Sequence, residues 1–338
     1  MMSEKQICQL LSSLLPRGRV NDCFQSDSEI FLLNGTPYLF STDEFCAEDL
    51  FREADPFLLG WNIAAGAISD IYACGGKPLF YAHALTVSET WKAEFVESFG
   101  RGVAAVLQNT GTGFIGGDCG RSPLWRCTAS VIGSCDGPPI LRCGARPGDL
   151  IYVTGPLGAG NLEAALRLCG GGVPQVERFV AQFPLRCKES ALVRKFASAC
   201  MDTSDGLWAS LNTLAELNRC GYAVADIPCV PDATAICATV GISPLLLLFG
   251  ECGEYELLFT VHPEHRRVLE AEAGAAGCSL FRLGEMTTSG RSLQEGNNTL
   301  NLNDLRIEAR DYDSPYSYLA TLAKQLGLTL DCPRPTLG

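Results

Sequence analysis

Basic residues are scarce in this chain. Lys and Arg number 26 against 38 Asp and Glu, with 3 His, for a formal net charge of −12 over 338 residues. A field of that sign repels phosphate backbones and anionic lipid, so neither nucleic acid nor membrane is expected as a partner. No unbroken apolar run reaches the ~18 residues of a membrane-spanning helix. No Cys-x-x-Cys occurs among the 17 cysteines, so the most specific zinc spacing is missing. There is no Gly-x-x-x-x-Gly-Lys-Ser/Thr loop and no Gly-x-Ser-x-Gly elbow, which excludes the P-loop enzymes and the α/β-hydrolase nucleophile. Charged residues make up 19% and hydrophobic ones 47%, which is not the composition of a disordered chain.

The cysteines themselves are abundant. Cys119, Cys127, Cys135 and Cys143 recur every eight residues, a spacing read here as chance across separate strands and loops. The odd count and the chain's size do not suit a disulfide scaffold. Reduced thiols and a cytoplasmic location are expected. The first 19 residues read as an amphipathic helix ending near Pro16, not as a signal peptide.

Along the chain, apolar runs at 29–33 and 37–41 flank Asn34-Gly35, a hairpin signal. Asp55-Pro56 opens a helix as N-cap and first helical residue. Leu59, Ile63, Ala67 and Ile71 then form one apolar stripe. Strands are expected at 79–87, 126–134, 150–155 and 256–261. Helices are expected at 90–108, 161–168, 188–199, 206–219 and 263–276. The last fifty residues are polar and poorly patterned until a helix near 315–326. The Pro138-Pro139 break places a domain boundary near residue 140, giving units 1–140 and 141–338. Strands and helices mix in both, so the fold class is α/β or α+β.

Some motifs mislead. Gly111-x-Gly113-x-x-Gly116 matches the dinucleotide fingerprint by letter, but it follows a helix and leads into a strand, the reverse of the required context. His262 and His265 at a helix start read as surface residues. Gly155-x-x-Gly158-x-Gly160 lies between a strand and a helix, where backbone N–H groups cradle phosphate or simply make a tight turn. The stronger signal is a set of carboxylates at element ends: Asp22, Asp43, Asp70, Asp118, Asp202 and Asp205. Carboxylates beside Gly-rich turns on two domains suit hard cations held through oxygen. Mg²⁺ with few protein ligands is typical of a nucleotide site. Arg142 and Arg121 can supply fixed positive charge to phosphate oxygens.

Six segments carry a resemblance when taken in order. They are Ser41-Thr42-Asp43, Ser69-Asp70-Ile71 through Gly75 and Pro78, Gly116-Gly117-Asp118, Arg142-x-Gly144-Ala145-x-Pro147-Gly148-Asp149, Asp202-x-Ser204-Asp205-Gly206-Leu207, and Tyr255-Glu256-Leu257-Leu258-Phe259-Thr260. Over roughly residues 20–315 the chain resembles the thiamine-monophosphate kinase family. That family belongs to the superfamily that includes aminoimidazole ribonucleotide synthetase and selenophosphate synthetase.

The resemblance implies a two-domain fold of the aminoimidazole ribonucleotide synthetase type, with N-terminal domains paired into a barrel-like homodimer. It implies direct transfer of the γ-phosphoryl group of ATP to thiamine phosphate. Asp22, Ser41, Thr42, Asp43, Asp70, Asp118, Asp202 and Asp205 are then expected to hold Mg²⁺, with Asp43, Asp118 and Asp205 as the catalytic carboxylates. Gly117, Arg142, Ser204 and Arg121 are expected to meet ATP. The first unit would bind nucleotide and metal and dimerise, and the second would complete the site.

The chain departs from the family pattern in places. Val20-Asn21-Asp22 stands where the family has Gly-Asp-Asp. Leu50 stands at a substrate-contacting His, and Gly253 at a substrate-contacting Glu, unless Glu251 or Glu254 substitutes. The alternatives are the same chemistry on a different small acceptor, or a non-catalytic nucleotide-binding regulator.

Overall fold

The computed structural model describes residues 4–47, 55–169 and 179–331. Helix α1 (Glu4–Leu14) precedes the hairpin of β1 (Glu29–Leu33) and β2 (Thr36–Cys46). Asn34 and Gly35 take φ of 52° and 79°. This is the mirror-image geometry a two-residue hairpin loop needs, and it pairs Leu33 with Thr36. Helix α2 (Pro56–Ala73) starts where Asp55 accepts hydrogen bonds from Phe57 N at 2.8 Å and Leu58 N at 3.0 Å. Its stripe of Leu59, Ile63, Ala67 and Ile71 is fully buried.

Strand β3 (Lys77–Ser88), helix α3 (Ala93–Thr110) and strands β4 (Gly113–Ser122) and β5 (Arg126–Ser134) complete the first sheet, in the order β1-β2-β5-β3-β4. Pairing is antiparallel except between β3 and β4. Helices α2 and α3 pack very closely. A Cβ on Gly60 would stand 2.0 Å from Phe99 O, and one on Gly102 1.9 Å from Phe57 O. The Gly111–Gly116 motif spans the left-handed cap of α3 and the start of β4, so it is a helix-to-strand turn.

The second sheet begins with β6 (Leu150–Val153), then α4 (Ala159–Cys169), α5 (Cys187–Phe196), β7 (Ala197–Asp202), α6 (Gly206–Asn218) and β8 (Gly221–Ala225). Then come α7 (Ala233–Val240), β9 (Leu257–Val261), α8 (Arg266–Ala276), β10 (Phe281–Thr287), β11 (Arg291–Glu295), β12 (Asn298–Asn301) and α9 (Pro315–Leu326). Its strand order is β12-β11-β8-β10-β6-β9-β7.

Both faces of the central strands are buried, which is why they read as continuous apolar runs rather than alternating ones. Leu150, Tyr152, Leu257 and Phe259 join the core built on α2, whereas Ile151, Val153 and Leu258 join a second core with Trp208, Leu211 and Leu322. One core therefore runs through α2 from the first sheet into the second. Among the described residues no helix is long and apolar enough to cross a membrane, and the cysteines are free thiols.

Two expectations differ from the structure. The helix expected over 188–199 stops at Phe196, because residues 197–202 are drawn into pairing with β9. Periodicity cannot separate a strand that abuts a helix without a turn. The polar stretch before the last helix holds β11 and β12. These lie at one edge of the sheet and bury only Leu293, too few for a pattern.

The α2–α3 contact sets a test. Gly102→Ala gains up to ~1 kcal/mol of helix propensity but forces the two backbones apart, at a cost of roughly 1–3 kcal/mol or more. A net loss of stability in urea denaturation is expected; a variant as stable as the parent would contradict the close crossing.

Candidate active site

Three carboxylates meet where the two sheets join. Asp27 lies two residues before β1, Asp70 in the last turn of α2, and Asp202 at the end of β7. Their oxygens lie within 4.8 Å of one another. Ser41, on β2, donates its Oγ–H to Asp70 Oδ2 at 2.5 Å. Arg142, in the connection between the sheets, donates from Nη2 to Asp27 Oδ1 at 2.9 Å. The backbone N–H of Asp202 also reaches Asp27 Oδ1, at 3.3 Å, and Ser204 N donates to Asp202 Oδ1 at 3.2 Å. Asp202 Oδ2 is buried with no hydrogen-bond partner.

The electrostatics follow from burial and like charge. Burial, then the charge of Asp27, pushes the Asp202 carboxyl up to about 7. Asp43, two residues beyond Ser41 and on the same face of β2, is pushed up to about 6 by burial and Asp27, opposed by Arg142. Asp70 lies well above the ordinary carboxylate range through burial and the charges of Asp43, Asp202 and Asp27. Burial acts to lower the Arg142 pKa, but the neighbouring carboxylates outweigh it and keep the guanidinium charged. One Arg among several carboxylates leaves negative charge uncompensated. An all-oxygen donor set with a bare buried oxygen, Asp202 Oδ2, fits a hard divalent cation.

Not every expected residue converges here. Asp22 is exposed and ion-paired with Arg17 at 2.9 Å. The turn that follows, with Gln25 N on Asp22 O at 3.2 Å, reverses the chain and brings Asp27 inward instead. Asp27 thus takes the place expected of Asp22. It stands at an element end like the others, and that position was the signal for it. Thr42 points away from Ser41 and Asp43, is exposed, and shares a hydrogen bond with Ser130 at 3.0 Å.

Gly117, Asp118 and Arg121 are exposed on edge strand β4, where Asp118 accepts from Cys119 N at 2.9 Å. A Cβ on Gly117 would stand 1.7 Å from His83 O. Asp205 is exposed at the start of α6, beside the trio. Leu50 lies outside the described residues.

The Gly-rich turn is a tight turn whose donors are already taken. Gly160 N and Asn161 N donate to the buried Glu254 carboxylate, each at 3.3 Å. Burial pushes Glu254 up to about 7 against those backbone donors. It fills the cradle at the α4 N-terminus with an internal anion, so no phosphate is held there. Glu251 accepts from Ala309 N at 2.9 Å. Gly253 is buried against the Tyr255 ring, 2.4 Å from where a Cβ would stand, which leaves no room for a side chain.

Residues 25–135 match the model of the AIR synthase related protein N-terminal domain, and 146–293 that of the C-terminal domain. The thiamine-monophosphate kinase of Salmonella typhimurium is 31% identical over 258 residues, covering 73% of this chain and 78% of that one. That of Halobacterium salinarum is 29% identical over 291 residues, covering 85% and 94%. The chain belongs to the AIR synthase related proteins, in the thiamine-monophosphate kinase family. A solved structure of AaThiL complexed with AMPPCP and TMP shares the fold, with a TM-score of 0.74 at 22% identity over 88% of this chain and 96% of that one. In this member of the family, the Arg142-x-Gly144 and Asp202-x-Ser204-Asp205 segments lie on either side of Asp27.

The raised pKa of Asp202 has a consequence for stability. The folded chain keeps a proton on Asp202 up to about pH 7, whereas the unfolded chain releases it near pH 4. Stability is therefore lost as pH rises through that window. In chelator-treated protein, Asp202→Asn should melt at least ~2 °C above the parent at pH 8, and the gap should close toward pH 4. A gap that is constant with pH would show that Asp202 carries no such strain.

Proposed function

We propose that this chain transfers the γ-phosphoryl group of ATP to thiamine phosphate, yielding thiamine diphosphate, in the presence of Mg²⁺. The observation that carries this reading is the trio of buried Asp202 and half-buried Asp27 and Asp70, with Arg142 beside it. The curated relatives act as support, since those proteins are thiamine-monophosphate kinases and the chain spans most of their length. Phosphoryl transfer asks little covalent chemistry of a protein; it asks for positioning and for neutralisation of charge on the transferred group.

Asp27, Asp70 and Asp202 would hold Mg²⁺, with Asp43 and Asp205 at the edge of the same charge cluster. The cation would supply neutralisation of charge on the phosphate oxygens. Ser41 fixes the orientation of Asp70 through its hydrogen bond. Arg142 offers a buried Nε without a partner as a further donor near the phosphates. The Ser204 backbone keeps Asp202 Oδ1 in place, which leaves Oδ2 available to a cation.

Residues 1–140 bind nucleotide and metal, and residues 141–338 complete the site through Asp202, Ser204 and Asp205. Gly117, Asp118, Thr42 and Arg121 lie on the exposed part of the first sheet and reach nucleotide or metal when two copies pair through that sheet. Edge strand β4 exposes Phe114 at 56% and Ile115 at 59%, apolar surface that a second copy would cover. The cytoplasm is the compartment that suits free thiols and ATP.

Two measurements test this reading. Asp27→Asn and Asp70→Asn should each lower kcat roughly 10²-fold or more, by removing a cation ligand, while Asp22→Ala stays near the parent. Equal losses from Asp22→Ala and Asp27→Asn would overturn the ligand assignment. The chain should also run as a dimer by light scattering, and Phe114→Asp in β4 should shift it toward monomer; a parent that is monomeric at micromolar concentration would sink the dimer.

A further inference from the structure

We propose that Asn218, in the last turn of α6, is a positioning residue for Arg142 and so for nucleotide phosphate at the trio. The proposal rests on the phosphotransferase reading above. Asn218 Nδ2 donates to Arg142 O at 2.9 Å, and its Oδ1 accepts from Gly144 N at 2.7 Å. One side chain thus grips the main chain on both sides of Cys143. The same Nδ2 donates to Leu214 O at 2.8 Å, which fixes the amide against α6 itself.

The rest of the gripped segment is tied to the strands and loops that carry the trio. Leu141 O accepts at 2.9 Å from the N–H of Cys200, two residues before Asp202 on β7. Arg142 N donates at 2.8 Å to the carbonyl of Gln25, two residues before Asp27. Gly144 has a φ of 132°, and a Cβ there would stand 2.2 Å from Ser198 O, so the chain passes too close to β7 for a side chain. Near the start of α6, Ser210 Oγ donates to Asp202 O at 3.2 Å. One helix thereby braces Asp202 near its start and the Arg142 main chain at its end.

Arg142 is the group that this frame aims. Its Nη2 meets Asp27 Oδ1 at 2.9 Å, and its Nε is buried with no partner. Nε is the guanidinium nitrogen nearest the main chain, so its place follows the main chain most directly. A long side chain holds one geometry only from a fixed base. A buried donor without a partner is costly, and an anionic phosphate oxygen would meet it with a charge-assisted hydrogen bond. Asn218 touches no substrate in this scheme.

The test measures binding of the magnesium complex of AMPPCP, a non-transferable ATP analogue, to the full chain by calorimetry. Asn218→Ala and Arg142→Gln should each raise Kd ~10-fold, on the scale of a lost hydrogen bond to a charged group. The double variant should bind within ~2-fold of Arg142→Gln alone, because Asn218 acts through Arg142 and coupled residues do not add. Amide exchange at Gly144 should speed up in Asn218→Ala. In turnover, KM for ATP should rise while KM for thiamine phosphate stays within ~2-fold. If Asn218→Ala does not fold, Asn218→Asp keeps the acceptor for Gly144 N and loses the donor to Arg142 O, and the same double-variant result is expected. Losses that add in full, an equal rise in both KM values, or an unchanged Kd with only a lower melting temperature make Asn218 a plain helix-end brace and overturn the proposal. A parent that does not bind the analogue overturns the phosphotransferase reading and the proposal together. A parent that binds it but transfers nothing to thiamine phosphate overturns the acceptor alone, and the binding cycle then decides the role of Asn218.

Discussion

Like charges held together away from water constrain everything around them. Asp27, Asp70 and Asp202 place carboxylate oxygens within 4.8 Å of one another. Asp27 comes from the loop before β1, Asp70 from α2 and Asp202 from β7, and no short segment brings any two together. Mutual repulsion in a poorly solvated site would drive them apart unless the scaffold were rigid. The rigidity comes from α2. Its buried stripe packs on the first sheet, and the same core continues into Tyr152, Leu257 and Phe259 of the second. Asp70 leaves the last turn of that helix, so its position is set by both sheets at once.

The surrounding polar groups share the work of holding the charges. Arg142 neutralises Asp27, and backbone N–H groups of Asp202 and Ser204 point at carboxylate oxygens. A second buried anion, Glu254, is treated differently: it is capped by the backbone of α4 and by Asn161. A third, Glu256, is matched by Arg186, which reaches its Oε2 from Nε at 2.6 Å and its Oε1 from Nη2, while Thr154 donates to Oε2 at 2.6 Å. Two of these anions are therefore satisfied within the protein. In the trio, Asp202 Oδ2 is not, and a buried carboxylate oxygen without a donor is costly unless something else meets it.

Much of this was legible in the sequence, and the reasons are local. Asn34-Gly35 requires positive φ, which produces a hairpin. Asp55-Pro56 caps a helix, and a stripe at four-residue spacing buries one face. Asp43, Asp70, Asp202 and Asp205 stood out as a set, because several carboxylates beside Gly-rich turns suit a hard cation, although Asp43 lies inside β2 rather than just after a strand. The order of six short segments was enough to indicate the family, because each keeps its own backbone and charge requirement.

Other features depended on contacts between distant residues. The choice of Asp27 over Asp22 turns on a chain reversal at 22–25 that carries no strong signature in its four residues. The Gly155–Gly160 turn has the same letters whether phosphate or Glu254 fills it, and Glu254 is nearly a hundred residues away along the chain. The strand at 197–202 is written like the helix before it, and pairing with β9 alone decides it. The sequence by itself determined the hairpin, the main helices, the family and most of the carboxylates, because propensity, capping and charge act within a few residues. Only the tertiary structure decided which carboxylates meet and which anion fills the Gly-rich turn. Those outcomes depend on the docking of two sheets through α2, and the distance between groups far apart in the chain is not encoded at any one position.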